Sequence, residues 1–188
     1  MEAFRLIEVE LPGEGFVQAE QTRGAPGAVL DGMRHRTRIG VHGLVFSSFA
    51  IVSGMGQPAI QALVAALDAR YLPTKDLGPL PGVGHLLETH IPLSALRSDA
   101  FRFLFRFHER FPRPWIHCED GRYLIRGEAP PGDEADDVVQ RVEAYFVKRG
   151  VGSVRVMAPT VEERARFDLL SDLALGRRGL GSGPRVPA

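Results

Sequence analysis

Four groups of residues in this chain have types and spacings that could support chemistry. The first is His117-Cys118. An imidazole beside a thiol can activate it as a nucleophile. A phosphate-transferring cysteine loop would need an arginine where this chain has Leu124, and Arg122 and Arg126 only flank that place. The pair also leads into Asp120-Gly121, which puts it in a hairpin strand, and successive strand residues point to opposite faces. The expectation is that one of the two is a small core residue and the other is exposed.

The second group is His85, Glu88 and His90, with His117 or Cys118 as a further donor. Such a set could ligate a metal or transfer protons. The spacing argues against ligation. His85 and His90 diverge on a helix and lie on opposite faces of a strand, whereas helical metal pairs sit three or four residues apart. No metal and no cofactor is expected. The third group is Ser53, Gly54 and Gly56, between an apolar run and Gln57-Pro58. Backbone amides at a helix start can hold an anion, and Ser53 could donate a hydrogen bond. The P-loop lysine is missing, Pro58 removes one amide, and a tight strand-to-helix turn accounts for the glycines equally well. The fourth is Phe101, Phe103, Phe105 and Phe107, interleaved with Arg102 and Arg106. Rings that stack bases beside arginines that hold phosphate make a single-strand nucleic-acid platform, to which Arg34, His35, Arg36 and Arg38 could add. Four phenylalanines also make ordinary core.

Elements must position these groups. The clearest run is Trp115 to Met157. Asp120-Gly121 between Trp115–Glu119 and Arg122–Arg126 predicts a type I′ hairpin. Pro130-Pro131-Gly132 ends it. Asp133 then caps a helix whose first turn holds Glu134, Asp136 and Asp137, where carboxylates meet the positive end of the dipole. Val138, Val139, Val142, Tyr145 and Phe146 form its apolar stripe, and Lys148, Arg149 and Gly150 close it. Val151 to Met157 is a strand with Val154 and Val156 on one face. Thr160 and Glu163 form a capping box that opens a last helix bearing Val161, Ala165, Leu169, Leu170 and Leu173.

Earlier in the chain, Phe4–Leu11 and Phe16–Gln21 read as a hairpin, and Arg23–Gly32 as a loop. Met33–Val41 and Leu44–Val52 read as strands about His42-Gly43. Gln57–Leu72 reads as a helix with Pro58 in its first turn, stopped by Pro73. The Pro- and Gly-rich stretch 73–84 is a candidate boundary or mobile loop. His85–Leu93 reads as a strand. Asp99–Phe111 reads as a helix capped by Asp99 or as an alternating strand, with length and caps favouring helix. Residues 176–188 read as a disordered basic tail, and no internal repeat is evident.

The predicted class is therefore α+β. An N-terminal antiparallel sheet with one packed helix is followed by a strand–helix–hairpin–helix–strand–helix unit. Residues 1–175 form one domain in this reading, with 1–72 and 85–175 as its lobes if 73–84 is a joint.

Composition narrows function. With 23 basic and 23 acidic residues among 188, the chain lacks the basic excess of a dedicated binder of nucleic acid or acidic membrane. Only Lys75 and Lys148 are lysine, a usage typical of GC-rich bacterial genomes. One cysteine excludes an internal disulfide and fits a reducing compartment. The start lacks a basic segment followed by an apolar run, and Leu44–Val52 is far shorter than the ~20 residues of a membrane helix, so a cytoplasmic protein is expected. The function expected first is a non-catalytic binding or interaction protein. It would act through self-association or a protein partner, by an apolar phenylalanine patch or by edge pairing of the 115–126 hairpin. The alternatives are a small-molecule-binding protein or enzyme with His85, Glu88, His90 and His117 in a pocket under 73–84, and a single-stranded nucleic-acid binder.

Overall fold

A computed structural model describes residues 4–11, 13–40, 43–92, 114–129, 134–147 and 153–176. Side chains of 34–40, 43–45, 134–135 and 145–147 are outside this description. The described strands are β1 (Leu6–Leu11), β2 (Val29–Gly40), β3 (Gly43–Ser53), β4 (Thr74–Leu80), β5 (Gly84–Pro92), β6 (Trp115–Glu119), β7 (Arg122–Glu128) and β8 (Val154–Met157). The helices are α1 (Val17–Arg23), α2 (Gln57–Ala69), α3 (Glu134–Val147) and α4 (Val161–Ala174). All eight strands join one antiparallel sheet in the order β4-β5-β3-β2-β6-β7-β1-β8. This is an α+β architecture.

That order contains a repeat. β2–β3–α2–β4 and β6–β7–α3–β8 are each a hairpin, a helix and a strand, and their hairpins meet where β2 pairs β6. In each unit one strand from elsewhere fills the gap before the last. β5 lies between β3 and β4, and β1 lies between β7 and β8. β5 follows β4 directly through a tight turn, whereas β1 comes from the start of the chain. A division at 73–84 therefore does not separate the sheet into an early and a late lobe. The segment itself is β4 and a tight turn, with Val83 N–H donating to the Leu80 carbonyl at 3.0 Å. Its glycines and prolines serve a bulge between Asp76 and Gly78 and a turn at an edge strand.

Both faces of the sheet are covered. Ile7, Val9, Leu11, Leu30, Val52, Leu87, Cys118, Tyr123 and Ile125 pack with residues of α1, α2 and α3. Leu6, Met33, Phe49, Ile51, Leu86 and Trp115 pack with Phe167, Leu170 and Leu173 of α4.

Several local expectations change. Phe16–Gln21 does not return as a strand. Val17-Gln-Ala-Glu-Gln-Thr-Arg consists mostly of good helix formers, and as α1 it buries Val17, Ala19 and Thr22. Phe16 then stacks on Tyr123 with ring centroids 3.9 Å apart. The loop read over Arg23–Gly32 ends at Val29, where β2 begins. In α4 the capping box forms as read, yet Val161 is 88% exposed. Phe167, absent from the expected stripe, is buried instead. Asp99–Phe111, Lys148–Gly150 and 177–188 lie outside the described residues.

The Asp120-Gly121 turn forms as its sequence dictates, with φ of 49° and 78°. Nothing larger than glycine fits at its second position. A Cβ on Gly121 would lie 2.5 Å from Arg23 Nε and 2.9 Å from Arg23 Cβ. Gly121→Ala is expected to lower unfolding stability by about 1–2 kcal/mol from left-handed strain alone, and by more if Arg23 cannot shift. Urea unfolding checks this, and an unchanged midpoint would contradict the turn described here.

Candidate functional site: a buried polar network beneath the last helix

The chemically capable side chains gather where α4 crosses the sheet. Asp31 on β2 is fully buried. Its Oδ1 accepts from Trp115 Nε1 at 2.8 Å and lies 2.6 Å from His117 Nδ1. Register explains the grouping, since Asp31 pairs His117 and Met33 pairs Trp115 across β2 and β6. As a carboxylate, Asp31 only accepts, so His117 Nδ1–H donates in this contact. Asp31 Oδ2 faces Arg166 Nε of α4 at 2.7 Å. That N–H is not aligned with the oxygen, so the contact is an ion pair without a directed hydrogen bond. His117 Nε2 lies 3.5 Å from Glu119, whose side chain is about half exposed.

A second cluster adjoins the first. Glu8 on β1 and Arg126 on β7 are paired in register and both buried. Arg126 Nε donates to Glu8 at 2.7 Å, and its Nη1 donates to Glu163 of α4 at 2.8 Å. The guanidinium lies 5.1 Å from the Trp115 ring centre. Arg155 on β8 donates to the other Glu8 oxygen at 2.7 Å. Glu163 does double duty, because its Oε2 also accepts from the Thr160 amide at 2.7 Å in the capping box. Three acids (Glu8, Asp31, Glu163) thus face three arginines (Arg126, Arg155, Arg166), which balances the charge that the site buries.

The expected site residues do not assemble. His117 and Cys118 do point to opposite faces, but neither is exposed. The expectation of one exposed residue assumed a sheet with one wet face. Cys118 lies in the core under the first three helices, and burial, with the Asp31 charge second, pushes its thiol well above the usual value. A thiol so held is a poor nucleophile. Glu88 and His90 share the α4 face of β5, with 3.4 Å between Glu88 Oε1 and His90 Nε2, and each has further interactions. His85 points to the other face, where its Nε2 meets Asp76 Oδ1 at 2.6 Å. His117 is three strands away from β5, roughly 14 Å at ordinary strand spacing. One pocket holding all four is excluded by that placement.

Ser53 ends β3, and Gly56 is the N-cap of α2. Gly54, with φ of 73°, packs so tightly that a Cβ would lie 2.2 Å from the Gly27 carbonyl oxygen. Its glycine therefore serves chain packing. The 101–107 segment lies outside the described residues. Arg34, Arg36 and Arg38 are placed on β2 by backbone alone.

Sequence reading missed Asp31, Glu8, Arg126, Glu163 and Arg166. Glu8 sits two residues from Leu6 and therefore on the same, apolar face of β1, where a carboxylate is not expected. The one available signal was Asp31, a carboxylate inside Val29-Leu30-Asp31-Gly32-Met33. Among the described residues, no group of three or more His, Cys, Asp or Glu is arranged to hold a metal. No described helix is long and apolar enough to cross a membrane. No family model, curated protein or solved structure matches this chain.

Chemically, this network ties α4 to the sheet. Arg126→Met would remove the buried partner of Glu163 and of one Glu8 oxygen, leaving Arg155 on the other, and a loss of up to about 3–5 kcal/mol is expected. Adding Glu8→Leu to that variant should recover part of the loss. Urea unfolding followed by emission of Trp115, the chain's single tryptophan, measures both.

Acid should act through the same contacts. Burial raises the Glu163 carboxyl, but the Thr160 amide and the charge and hydrogen bond of Arg126 outweigh it, so the group ionises below its usual range. Glu10 is likewise lowered, chiefly by its hydrogen bond from Arg122. A depressed carboxyl contributes stability that is full above its unfolded value and is lost as pH falls through the native value. Stability should therefore fall once pH drops below about 4.3, the ordinary glutamate value. Equal urea midpoints at about pH 3 and pH 7 would refute this linkage.

Proposed function

We propose that this chain acts by binding another protein or a second copy of itself, and that Tyr71 marks the contact. Helix α2 closes with a paired motif in which Tyr71 N–H donates to Asp68 O and Leu72 N–H to Leu67 O, both at 3.0 Å. The residue between helix and strand in such a motif is left-handed and usually glycine. Here it is tyrosine, with φ of 60°. Its ring is 83% exposed, so contacts within the chain do little to offset the strain. A strained residue with so little internal return is a reason to look for an external one. Tyrosine is also among the residues that most often anchor protein interfaces, offering much area for little lost freedom.

The setting supports the reading. Tyr71 leads into edge strand β4, whose Leu77 is 36% exposed. Arg70 and Lys75 are exposed beside them, which resembles an apolar anchor with a charged rim. The route differs from the edge pairing expected of the 115–126 hairpin. β6 and β7 are interior strands whose edges are already occupied by β2 and β1.

Tyr71→Gly separates an external role from an internal one. It should raise stability by about 1 kcal/mol by removing left-handed strain, while weakening association in sedimentation velocity across a concentration series. A wild-type chain that stays monomeric throughout would reject self-association. A Tyr71→Gly chain that loses stability would reject the contact for any partner, because the ring would then be packed within its own molecule.

A further inference from the structure

A second surface feature lies apart from Tyr71 and from the buried network. The end of β3, the first turn of α2 and the β4–β5 turn enclose an open groove of about 490 Å³. Met55, Ile60, Leu80, Val83 and the flanking prolines make its walls mainly apolar, and among its lining residues His85 alone has a side chain that can carry charge. Ordinary small-molecule sites fall in this size range and share this pattern, an apolar wall with one or two fixed polar groups.

His85 is fixed. Its Nε2 is 2.6 Å from Asp76 Oδ1. Asp76 is itself held by the Gly78 amide at 2.9 Å and lies 3.4 Å from Gln57 Nε2. Burial raises the Asp76 carboxyl, but the hydrogen bonds from the Gly78 amide and from His85 outweigh it and hold it low. With Asp76 Oδ1 as the acceptor and His85 Nε2–H as the donor of this contact, a neutral imidazole presents Nδ1 as a fixed acceptor. A carboxylate that fixes an imidazole tautomer is the arrangement by which proteins aim the second ring nitrogen at a ligand.

We infer that this groove binds a small, uncharged, largely apolar molecule carrying one hydroxyl or N–H group, which donates to Nδ1 of His85. The apolar walls take the body of the molecule. An anion is disfavoured by Asp76 behind the ring, and no acidic side chain among the lining residues offers to pair with a cation. The inference is independent of the proposed protein contact, since no lining residue belongs to it.

The test uses p-cresol and cyclohexanol, each against its methyl ether, titrated into the full chain and followed by NMR of backbone amides, methyl groups and the His85 ring. Saturable shifts at Met55, Ile60, Val83 and His85 are expected, with each hydroxyl compound binding about two- to tenfold more tightly than its ether, the value of one hydrogen bond. His85→Phe should bring alcohol and ether together. Asp76→Asn should weaken the alcohols while leaving the ethers unchanged. Absence of saturable shifts for both alcohols, shifts confined to other surfaces, or equal affinities of alcohol and ether would each overturn the inference. The wild-type comparison decides alone if either variant fails to fold.

Discussion

The ion pair between Glu8 and Arg126 is the contact on which the α4 side of the molecule depends. A sheet covered on both faces has no wet side on which to leave charge. Glu8 faces α4, not water, and a lone carboxylate there would cost several kcal/mol. Arg126, opposite it in register, supplies the counter-charge and then reaches Glu163 on the helix. Arg166 does the corresponding work for Asp31 from the next turn of that helix. Both links leave the helix face that also bears Phe167 and Leu170, so apolar packing and ion pairing demand one rotation of α4. Buried ion pairs often add little net stability over well-packed apolar groups. Here their consequence is register, because a one-residue slip of β1 against β7 would aim Glu8 at the apolar core of the other face.

The repeat in the sheet explains why early and late segments cannot be treated separately. β1 completes a unit that otherwise comes from residues beyond 114, and β5 completes one that comes from residues before 81. Each hairpin-helix-strand unit alone would have a gap one strand wide between its second and third strands. Filling the second gap with β1 makes that unit depend on the chain's start and brings Glu8 beside Arg155 and Glu163, from near its end. Such pairings have high sequence separation, so their loop-closure entropy must be met before their contacts form.

Legibility in the sequence followed how local the controlling physics was. The Asp120-Gly121 turn, the Thr160–Glu163 capping box and the Gln57-Pro58 helix start each depend on a few neighbouring residues, and all formed as read. Val154 and Val156 share a face for the same reason. The site was not legible, because its membership depends on which strands lie side by side. Glu8 and Arg126 are 118 residues apart and Asp31 and His117 are 86 apart, and no periodicity reports such distances. Alternation also misled in a specific way. It assigns polar positions to water, whereas α4 brings its own polar residues to meet them. This mixed contact face accounts for the weak apolar stripe of α4 and for the misplacement of Val161 in the core.

The two sheet edges bear on how such a molecule avoids indiscriminate pairing while still offering a contact. β8 has only four residues. β4 is longer, but its Thr74 amide is taken by Asp68 and its Gly78 amide by Asp76, while Pro79 has no amide to give. The bulge at Asp76/Gly78 twists it further from a flat template. These are the devices that blunt an edge against another strand. Backbone pairing at β4 is thereby disfavoured, so the contact proposed there would be made by side chains. An exposed tyrosine in a position suited to glycine fits that division of labour. Under the proposed contact, the edge would refuse a generic strand and leave selection to the exposed side chain of Tyr71.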